Sequence, residues 1–498
     1  MIVEAEAAPK KTKRIRRKPH IIPKEENGID LEKVSPFAVS VCRRLQEAGH
    51  KAFIVGGAVR DLLIGHHPKD FDVATDATPE QIKKITRRAI IIGRRFRLVH
   101  VSKGAETIEV STFRGLNQNG VEKDINGRVI DDNVFGEQHE DAARRDFTVN
   151  AMYYDPISGD LYDYHNGVLD IRKKRLRMIG DPETRYQEDP VRILRAVRIA
   201  AKLGFSIDPK TASPMERMQV FLAGVPEARL SDEFLKMLMS GASTACVELM
   251  NKYGLSIDLP MYAVLQKNFD TAFVRKALER CDARVEQGKS ISSSFIYAVL
   301  LWAEMKAVLQ TLGDDLTPGQ RYVAAGDIVC DGPSLRGIQR RYVSDMREIW
   351  FLQPKFERRT GRSPRKLLDH PRFRAAYDFL LLRASCGEVP HELADWWTAY
   401  EAAPEDEKGL MVQEQEQLAR QRRAEKGEPE PEEEKEGGRR RRRRRKPRKK
   451  RSSDNGEEVS KTASKTSERH VRTLRRVRRP KNKDASGAKK PEGTPSET

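Results

Sequence analysis

Apolar and polar positions follow two different periods along the first third of the chain. In Pro36–Gly49, apolar residues recur at the spacing of an amphipathic helix, at Phe37, Val41 and Leu45. Short apolar runs bounded by glycine or charged residues predict strands, with a second helical pattern after the first run. The predicted strands are Ala52–Val55, Phe71–Val73, Ala89–Ile92 and Thr107–Thr112, and the second predicted helix is Val59–Ile64. This pattern predicts a mixed α/β domain over residues 35–180.

The pattern changes after this domain. Strand signals nearly vanish from Glu183 to about Tyr400, and helical spacing dominates, as in Val191, Leu194 and Val197. We therefore predict an α+β protein in which a mixed α/β head precedes an all-helical neck and body, with disordered basic termini. The predicted segments are a basic disordered arm over residues 1–34, a mixed head over 35–180, a helical neck over 181–240, a helical body over 241–403, and a disordered tail over 404–498.

The composition explains why the ends are predicted to be disordered. Charged residues make up 34% of the chain and hydrophobic residues only 38%, so part of it cannot bury enough apolar surface to fold. Residues 404–498 run from an acidic stretch into an unbroken arginine run, Arg439–Arg445. Residues 437–498 carry a net +17 and residues 1–20 a net +5, which leaves −3 of the total +19 for residues 21–436. Attraction for a polyanion is thus expected mainly from the two extensions.

The chain carries no signal for export or membrane insertion. Its five cysteines are scattered, without a CxxC pair or an even-numbered disulfide framework, which fits a reducing cytoplasm. The basic start of the chain is followed by no apolar segment, and no stretch reaches the length of a membrane helix. We expect a cytoplasmic protein.

Candidate chemistry begins with two glycines and two aspartates. Gly56-Gly57 follow the first predicted strand, where a turn without Cβ atoms can approach phosphate oxygens. Asp70 and Asp72 flank Phe71, and a strand period of two puts both carboxylates on one face. The alternatives are an ordinary turn for the glycines and a solvated strand edge for the aspartates.

A further predicted strand adds a third carboxylate, because Glu109 stands between the apolar residues Ile108 and Val110. Magnesium prefers such oxygen ligands together with nucleotide phosphates. Two magnesium ions can bind the attacking and the leaving oxygens of a phosphoryl transfer. The acids therefore favour metal-assisted phosphoryl transfer.

Four sequence elements together resemble the tRNA nucleotidyltransferase and poly(A) polymerase branch of the nucleotidyltransferase superfamily. They occur in the family's order within about 145 residues, which makes a chance match negligible. The elements are Gly56–Asp61, Asp70–Asp72, Arg144–Asn150 and Glu188–Arg198.

The resemblance implies a nucleotidyltransferase-type catalytic head over residues 35–180, a nucleotide-base reader in the neck over 181–240 and an RNA-binding body over 241–403. It also implies roles for individual residues. Asp70 and Asp72 would bind two Mg²⁺ ions, Glu109 would be a third acid, and Asp146 an acid near the sugar and the metals. ATP would be the substrate. The residues implied to contact the nucleotide are Gly56, Gly57, Arg60, Arg144, Arg145, Asn150, Asp189, Arg192, Arg195 and Arg198. For Arg60, with Asp61, a capping and surface ion pair is the alternative.

The fourth element is implied to read the base. If Asp189 and Arg192 share a helix, their spacing puts an acceptor and a donor on one face, which matches the edge of adenine. Arg195 and Arg198 repeat that spacing, with a basic stripe facing RNA phosphates or solvent as the alternative. Arg229 and Glu233 are expected to form a stabilising pair within one helix.

Two further segments favour the poly(A) polymerase side of the family over the enzymes that restore CCA to tRNA. Ile92–Val101 and Lys366–Asp378 resemble bacterial poly(A) polymerases, as does Trp396-Trp397. His100, in the first segment, is expected to be a structural or RNA-contacting residue rather than a general base.

The implied activity is template-independent transfer of AMP from ATP to RNA 3′ ends, with release of pyrophosphate. In this interpretation the enzyme polyadenylates mRNA and other transcripts and so promotes their decay, and the basic tail offers a surface for RNA-decay proteins. The alternative is a CCA-adding or A-adding tRNA nucleotidyltransferase. A non-catalytic RNA-binding protein is disfavoured because Asp70, Asp72, Glu109 and Asp146 are all present.

Overall fold

The structure is a computed structural model, and it describes most of the chain between residues 18 and 425. The described ranges are 18–93, 97–116, 122–123, 129–131, 134–313, 315–336 and 338–425. The contacts between residues divide the chain into two compact units, residues 1–430 and residues 431–498. Every described residue belongs to the first unit. The arginine run of the tail, residues 1–17 of the arm, and Arg94, Arg95 and Phe96 lie outside the described residues.

The strands lie in the first half of the chain and build one large mixed sheet. In chain order they are β1 His20–Ile22, β2 Ala52–Val55, β3 Asp72–Thr75, β4 Ala89–Ile92, β5 Leu98–Lys103, β6 Glu106–Thr112, β7 Glu122–Lys123, β8 Val129–Asp131, β9 Met152–Tyr154, β10 Leu161–Asp163, β11 Arg175–Leu176 and β12 Ser206–Ile207. The order across the large sheet is β1-β10-β9-β2-β3-β6-β5-β4, and β7-β8 and β11-β12 form separate pairs. Within the large sheet only the β3-β6 pairing, among the described strands, is parallel.

Helices surround the sheet and make up almost all of the described chain beyond it. They are α1 Lys24–Asn27, α2 Pro36–Glu47, α3 Gly57–Leu63, α4 Pro79–Ile85, α5 Gln138–Arg144, α6 Gly167–Arg172, α7 Pro182–Glu188, α8 Arg192–Leu203, α9 Pro209–Ala212, α10 Met215–Met218, α11 Glu227–Leu238, α12 Ser243–Lys252, α13 Pro260–Asn268, α14 Ala272–Glu286, α15 Ser293–Leu300, α16 Trp302–Thr311, α17 Pro318–Cys330, α18 Arg340–Leu352, α19 Ser363–Leu368, α20 Phe373–Ser385, α21 His391–Ala402 and α22 Glu405–Glu425. Short 3₁₀ turns cover Leu31–Lys33, Thr148–Asn150, Gln219–Gly224, Pro333–Leu335 and Gln353–Lys355. The predicted fold class, a mixed α/β head followed by helices, is confirmed.

The periodic residues of α2 show why this sequence folds as it does. The Ser35 side chain accepts hydrogen bonds from the amides of Phe37 and Ala38, and Pro36 occupies the first turn, so the helix begins where the pattern predicts. Val41 and Leu45 are buried against the sheet. One face of the sheet is therefore closed by helix packing, which leaves the opposite face for chemistry.

The main hydrophobic core is continuous from the sheet into the helices, from Ile22 to Leu382. A smaller cluster covers part of the other face of the sheet and includes Phe53 and Tyr153, whose ring centroids are 6.1 Å apart. No helix in the described part of the chain is long and apolar enough to cross a membrane.

Two segments that were expected to be disordered are ordered in part. Within the predicted arm, β1 pairs with β10 at the edge of the large sheet and buries Ile22. Within the predicted tail, α22 extends to Glu425, and its residues Met411 and Val412 pack on a cluster that contains Trp397. A few apolar residues thus anchor segments whose overall composition is polar.

Candidate active site

The site begins at the turn from β2 into α3, where Gly56 adopts φ +75° and ψ −137°. Side chains rarely accept this conformation, so the position favours glycine. A Cβ atom at Gly56 would lie 3.6 Å from Asp72 Oδ2 and 3.6 Å from Arg145 Nη1. Gly57, in the first turn of α3, lies against the Arg60 guanidinium. The glycine turn therefore brings backbone close to one acid and one arginine that the sequence singled out.

The parallel pairing of β3 with β6 sets Asp72 directly beside Glu109. Asp70 lies just before β3 and is exposed, so the strand contains only the second of the two aspartates. Burial raises the pKa of Asp72 to about 6, together with repulsion from Glu109 and Asp70 and against the attraction of Arg145. The structure thus brings Asp70 and Glu109 close enough to Asp72 for both of them to raise its pKa.

These carboxylates fit divalent cations by chemistry and charge. They are hard oxygen donors that repel one another, and a bound cation would relieve that repulsion. A Cβ at Gly56 would lie beside Asp72 Oδ2, so glycine at this position keeps that space free of its own side-chain atoms. Among the described residues, no three His, Cys, Asp or Glu side chains are arranged in advance as metal ligands. Asp70 and Asp72 therefore remain the predicted ligands, and substrate phosphates would supply further oxygens.

His100 contacts the third acid. It pairs with Glu109 across β5 and β6, and His100 Nε2 lies 3.2 Å from Glu109 Oε1. This contact places His100 within hydrogen-bond distance of Glu109, and the expectation of a structural or RNA-contacting histidine stays a prediction.

Arg145 is held rigidly beside the acid cluster. Its Nε and Nη2 donate to Asp141 Oδ2 at 3.3 and 3.1 Å, and its Nε also donates to the Tyr153 hydroxyl at 3.1 Å. The Tyr153 hydroxyl in turn donates to Asp141 at 2.5 Å. The neighbouring Arg144 donates from Nη1 to the carbonyl of Gly115 at 2.5 Å. Both arginines are therefore fixed by protein contacts, and Arg145 keeps its Nη1 toward the glycine turn.

Asp146 lies in a second set of contacts that links three elements. Arg195 of α8 donates to Asp146 Oδ2 at 3.0 and 2.7 Å, and Asn150 Nδ2 donates to Asp146 Oδ1 at 3.2 Å. Arg60 of α3 donates to Asn150 Oδ1 at 2.7 Å and also bonds Asp61. Burial raises the pKa of Asp146, but the Arg195 guanidinium and the hydrogen bonds outweigh it, so the pKa lies well below the usual value.

This network corrects one interpretation of the sequence. The Arg60–Asp61 pair is largely buried rather than a surface pair, with side chains 8% and 16% exposed. Since Arg60 also bonds Asn150, it ties the start of α3 to the Asp146 segment.

The base-reading pair does not share a helix as expected. Asp189 follows the end of α7 in an extended conformation, with φ −151°, and Arg192 is the first residue of α8. Pro190 explains the break, because a residue before proline is disfavoured in the helical region. Asp189 instead accepts two hydrogen bonds from Arg229, both at 2.8 Å, and Arg192 donates to the Glu188 carboxylate at 3.3 Å.

The alternative interpretation of Arg195 and Arg198, a basic stripe of unpaired cations, is also wrong, because both arginines pair with carboxylates. Arg195 pairs with Asp146, and Arg198 donates to Glu233 at 2.6 Å. The expected pair between Arg229 and Glu233 is replaced by contacts of each with the base-reading segment, Arg229 with Asp189 and Glu233 with Arg198. Thus α11 packs on the base-reading segment through two ion pairs.

Arg185, on α7, is a site residue that the sequence reasoning missed. It donates to the carbonyls of both Arg144 and Arg145, the latter at 2.7 Å, and to Glu188 at 2.6 Å. Burial and the nearby Arg192 lower the pKa of Arg185 to about 10. No sequence signal links Arg185 to carbonyls some 40 residues upstream.

Asp141 and Tyr153 were missed as well. The four-residue spacing of Asp141, on α5, and Arg145, which directly follows that helix, is a recognisable helix-pair signal. For Tyr153 there was none, because its hydroxyl meets Arg145 only through the packing of β9.

Three stretches of the chain match known protein families. Residues 52–177 match the poly A polymerase head domain, residues 204–263 the probable RNA and SrmB-binding site of polymerase A, and residues 322–450 the polymerase A arginine-rich C-terminus.

Individual relatives agree with these matches. The chain is 39% identical over 422 residues to the poly(A) polymerase I of Escherichia coli O157:H7, covering 81% of this chain and 90% of that protein. It is 37% identical over 240 residues to the CCA-adding enzyme of Bacillus subtilis strain 168, covering 48% of this chain and 59% of that protein. The crystal structure of the Bacillus stearothermophilus CCA-adding enzyme in complex with CTP aligns over 73% of this chain and 82% of that chain, with a TM-score of 0.50 and 24% identity. This last likeness shows a shared fold.

Proposed function

The chain belongs to the poly(A) polymerase I family, and from this premise we propose that its head transfers adenylate at the Asp70, Asp72 and Glu109 cluster. It is a polynucleotide adenylyltransferase, which adds AMP from ATP to RNA 3′ ends without a template. We place the site here because Asp72 and Glu109 lie side by side on paired strands, and Asp72 also lies next to the turn at Gly56.

In the proposed reaction the 3′-hydroxyl of the RNA loses its proton to solvent, and its oxygen attacks the α-phosphorus of ATP. The bond from that phosphorus to the bridging oxygen breaks, and pyrophosphate leaves. Asp70 and Asp72 would hold two Mg²⁺ ions, with Glu109, oriented by His100, as a third acid. When bound, the metal ions lower the pKa of the attacking hydroxyl and neutralise charge on the leaving group.

The protein's own contribution is positioning and fixed charge. The amides of Gly56 and Gly57 face the triphosphate, and Arg145 adds a guanidinium whose direction is set by Asp141 and Tyr153. Because these contacts exist before substrate binds, little reorganisation is needed during the reaction.

Product length tests the function against its alternative. We expect the purified protein to extend a generic RNA with long tails from ATP and to incorporate UTP, GTP and CTP poorly. Termination after one to three nucleotides on tRNA, without long tails on other RNA, would instead support a CCA-adding or A-adding enzyme. The match to CCA-adding enzymes covers about half of the chain, whereas the match to poly(A) polymerase I also covers the body.

The proposed partners are RNA 3′ ends and ATP. The five free cysteines support a reducing cytoplasm as the location. RNA-decay proteins remain proposed partners of the basic tail.

Base choice is predicted to depend on Asp189. Arg229 donates to both carboxylate oxygens of Asp189, which fixes the direction of an acceptor that suits the amino group of adenine. We expect Asp189→Ala to reduce the preference for ATP by about 1–3 kcal/mol and total nucleotide incorporation by less. Competition between ATP and CTP in one reaction measures the preference. Asp232→Ala, which removes an exposed acid from α11, is the matched control, and unchanged selectivity in Asp189→Ala would refute the assignment.

Arg185 is predicted to position Arg144 and Arg145, whose backbone carbonyls it contacts. Lysine keeps the charge but cannot reach two carbonyls and Glu188 at once. We expect Arg185→Lys to lower kcat/KM for ATP about tenfold through misplaced Arg144 and Arg145. Steady-state kinetics on a short RNA measures it. Arg217→Lys, at an exposed ion pair, is the control, and a wild-type kcat/KM in Arg185→Lys would rule out positioning.

The tail is predicted to serve RNA binding rather than chemistry, because residues 437–498 carry +17 and every proposed catalytic residue precedes them. Deleting residues 437–498 should leave the rate at saturating RNA nearly unchanged. RNA affinity should fall, and its dependence on salt should become shallower, because fewer counterions are released. Binding of short RNA at several salt concentrations tests this. A tail neutralised by its own acidic stretch would instead give equal affinities and equal salt slopes.

A further inference from the structure

A cavity lies within the helical body, lined by residues between 277 and 382, a stretch that includes none of the proposed catalytic or nucleotide-contacting residues. Its volume is about 520 Å³, and α14, α15, α18 and α20 contribute to its walls. A volume in this range suits a small organic ligand.

The walls combine apolar and aromatic surface with a basic rim. Phe295, which is half-buried, and Ile349 and Leu382 supply apolar surface. Five basic side chains line the cavity against two acids, Asp345 and Asp378. The basic residues are Arg280, Arg284, Lys289, Arg372 and Arg374. The cavity therefore carries a net positive charge beside an aromatic ring.

The ion pairs show which cations can meet an added anion. Arg372 donates to Asp345 at 2.7 Å, and both Arg374 and Arg284 lie near Asp378, at 3.1 and 3.6 Å. In the described part of the chain, neither Arg280 nor Lys289 has a carboxylate partner. The positive charge without a carboxylate partner thus lies in the second half of α14, at Arg280, and in the loop that follows the helix, at Lys289.

A buried hydroxyl adds a second, independent observation. Ser294, 1% exposed, lines the cavity, and its Oγ has no hydrogen-bond partner among the described residues. A buried polar atom without a partner is costly, and rotation of the Ser294 side chain toward the cavity would let its hydroxyl bond a ligand with a polar edge.

We propose that this cavity binds one nucleoside 5′-monophosphate unit, either free or as one residue of an RNA strand. The base stacks on Phe295 and presents its polar edge toward Ser294, and the phosphate meets Arg280 and Lys289. A flat base with apolar faces and a polar edge matches these walls. The proposal rests on the proposed function for its choice of a nucleotide as the ligand.

Photo-crosslinking of the full chain with 8-azidoadenosine 5′-monophosphate, followed by peptide mapping, tests the site. We expect crosslinks to peptides that contain Phe295 or Leu382, in addition to any in the head. The double variant Arg280→Gln/Lys289→Gln should weaken the body crosslink about tenfold at fixed salt. The control double variant Lys267→Gln/Arg275→Gln removes the same charge outside the cavity lining and should leave the crosslink unchanged.

Competition identifies the form of the ligand. If unlabelled oligoadenylate suppresses the body crosslink at lower nucleotide concentration than AMP, the unit belongs to an RNA strand; equal or better suppression by AMP indicates a free nucleotide. Phe295→Leu provides a second test, since it keeps apolar volume but removes stacking and should also weaken the crosslink.

Two results would overturn the proposal. One is crosslinking confined to the head and neck while the same preparation adenylates RNA, which would leave the proposed function standing. The other is equal crosslinking to the body peptides in the Arg280→Gln/Lys289→Gln variant and in its control. Absence of adenylation by an intact, crosslinking protein would instead count against the proposed function alone.

Discussion

Replacing Asp72 with alanine or asparagine is expected to lower adenylate incorporation by about three orders of magnitude or more, because metal-assisted charge stabilisation at the reacting phosphate would be lost. The fold should survive, since β3 is held by backbone pairing with β2 and β6. Thermal unfolding should occur at an unchanged or higher temperature at neutral pH. Burial together with repulsion from Glu109 and Asp70 disfavours the charged form of Asp72, so removing that charge relieves a cost.

Single-turnover incorporation of labelled ATP into a short RNA measures this effect. Asp76→Asn is the matched control, because Asp76 directly follows the same strand but bonds His50 and the amide of Lys51. A folded Asp72→Ala protein with wild-type incorporation would show that Asp72 is not part of the catalytic centre.

Removing the Asp146 carboxylate is expected to affect both stability and activity. Arg195 would lose its partner, and so would Asn150, which aligns Arg60. Loss of one partner of a buried ion pair costs about 3–5 kcal/mol; here we expect about 2 kcal/mol, because the Arg195 side chain is 36% exposed. Adenylation should fall about a hundredfold, since the groups that Asp146 orients lie on three different elements.

The effect of Asp146 should depend on pH with a defined sign. The pKa of Asp146 is lowered in the folded protein, so its stabilising contribution is present above the usual aspartate pKa and is lost as the pH falls below it. Urea unfolding of wild type and Asp146→Asn should therefore differ most near neutral pH and converge in acid. Asp232→Asn, at an exposed pair, should differ little from wild type at any pH. A constant difference between wild type and Asp146→Asn down to pH 3 would contradict this.

The neighbouring positions of Asp72 and Glu109 were predictable because their signals are local. Alternating apolar residues placed Glu109 on a strand, and glycines after a strand marked the turn; the parallel pairing then set Asp72 beside Glu109. The strands Ala52–Val55 and Ala89–Ile92 have the predicted bounds for the same reason.

The prediction failed where partners come from distant elements. Asp189 and Arg192 were assigned to one helix by spacing alone, and the backbone restriction imposed by Pro190 was overlooked. Arg185 is fixed by carbonyl groups of another helix, and backbone carbonyls leave no trace in a sequence pattern. The helix α22 was missed because composition predicts disorder on average, whereas Met411 and Val412 are enough to dock it.

Electron paramagnetic resonance of Mn²⁺, used in place of Mg²⁺ with a non-hydrolysable ATP analogue, tests the central claim most directly. The account predicts about two bound Mn²⁺ ions per wild-type chain and at least one fewer in Asp72→Asn, with Asp76→Asn like wild type. Equal Mn²⁺ binding by wild type and a folded Asp72→Asn protein would contradict the assignment of the Asp70, Asp72 and Glu109 cluster as the adenylation centre.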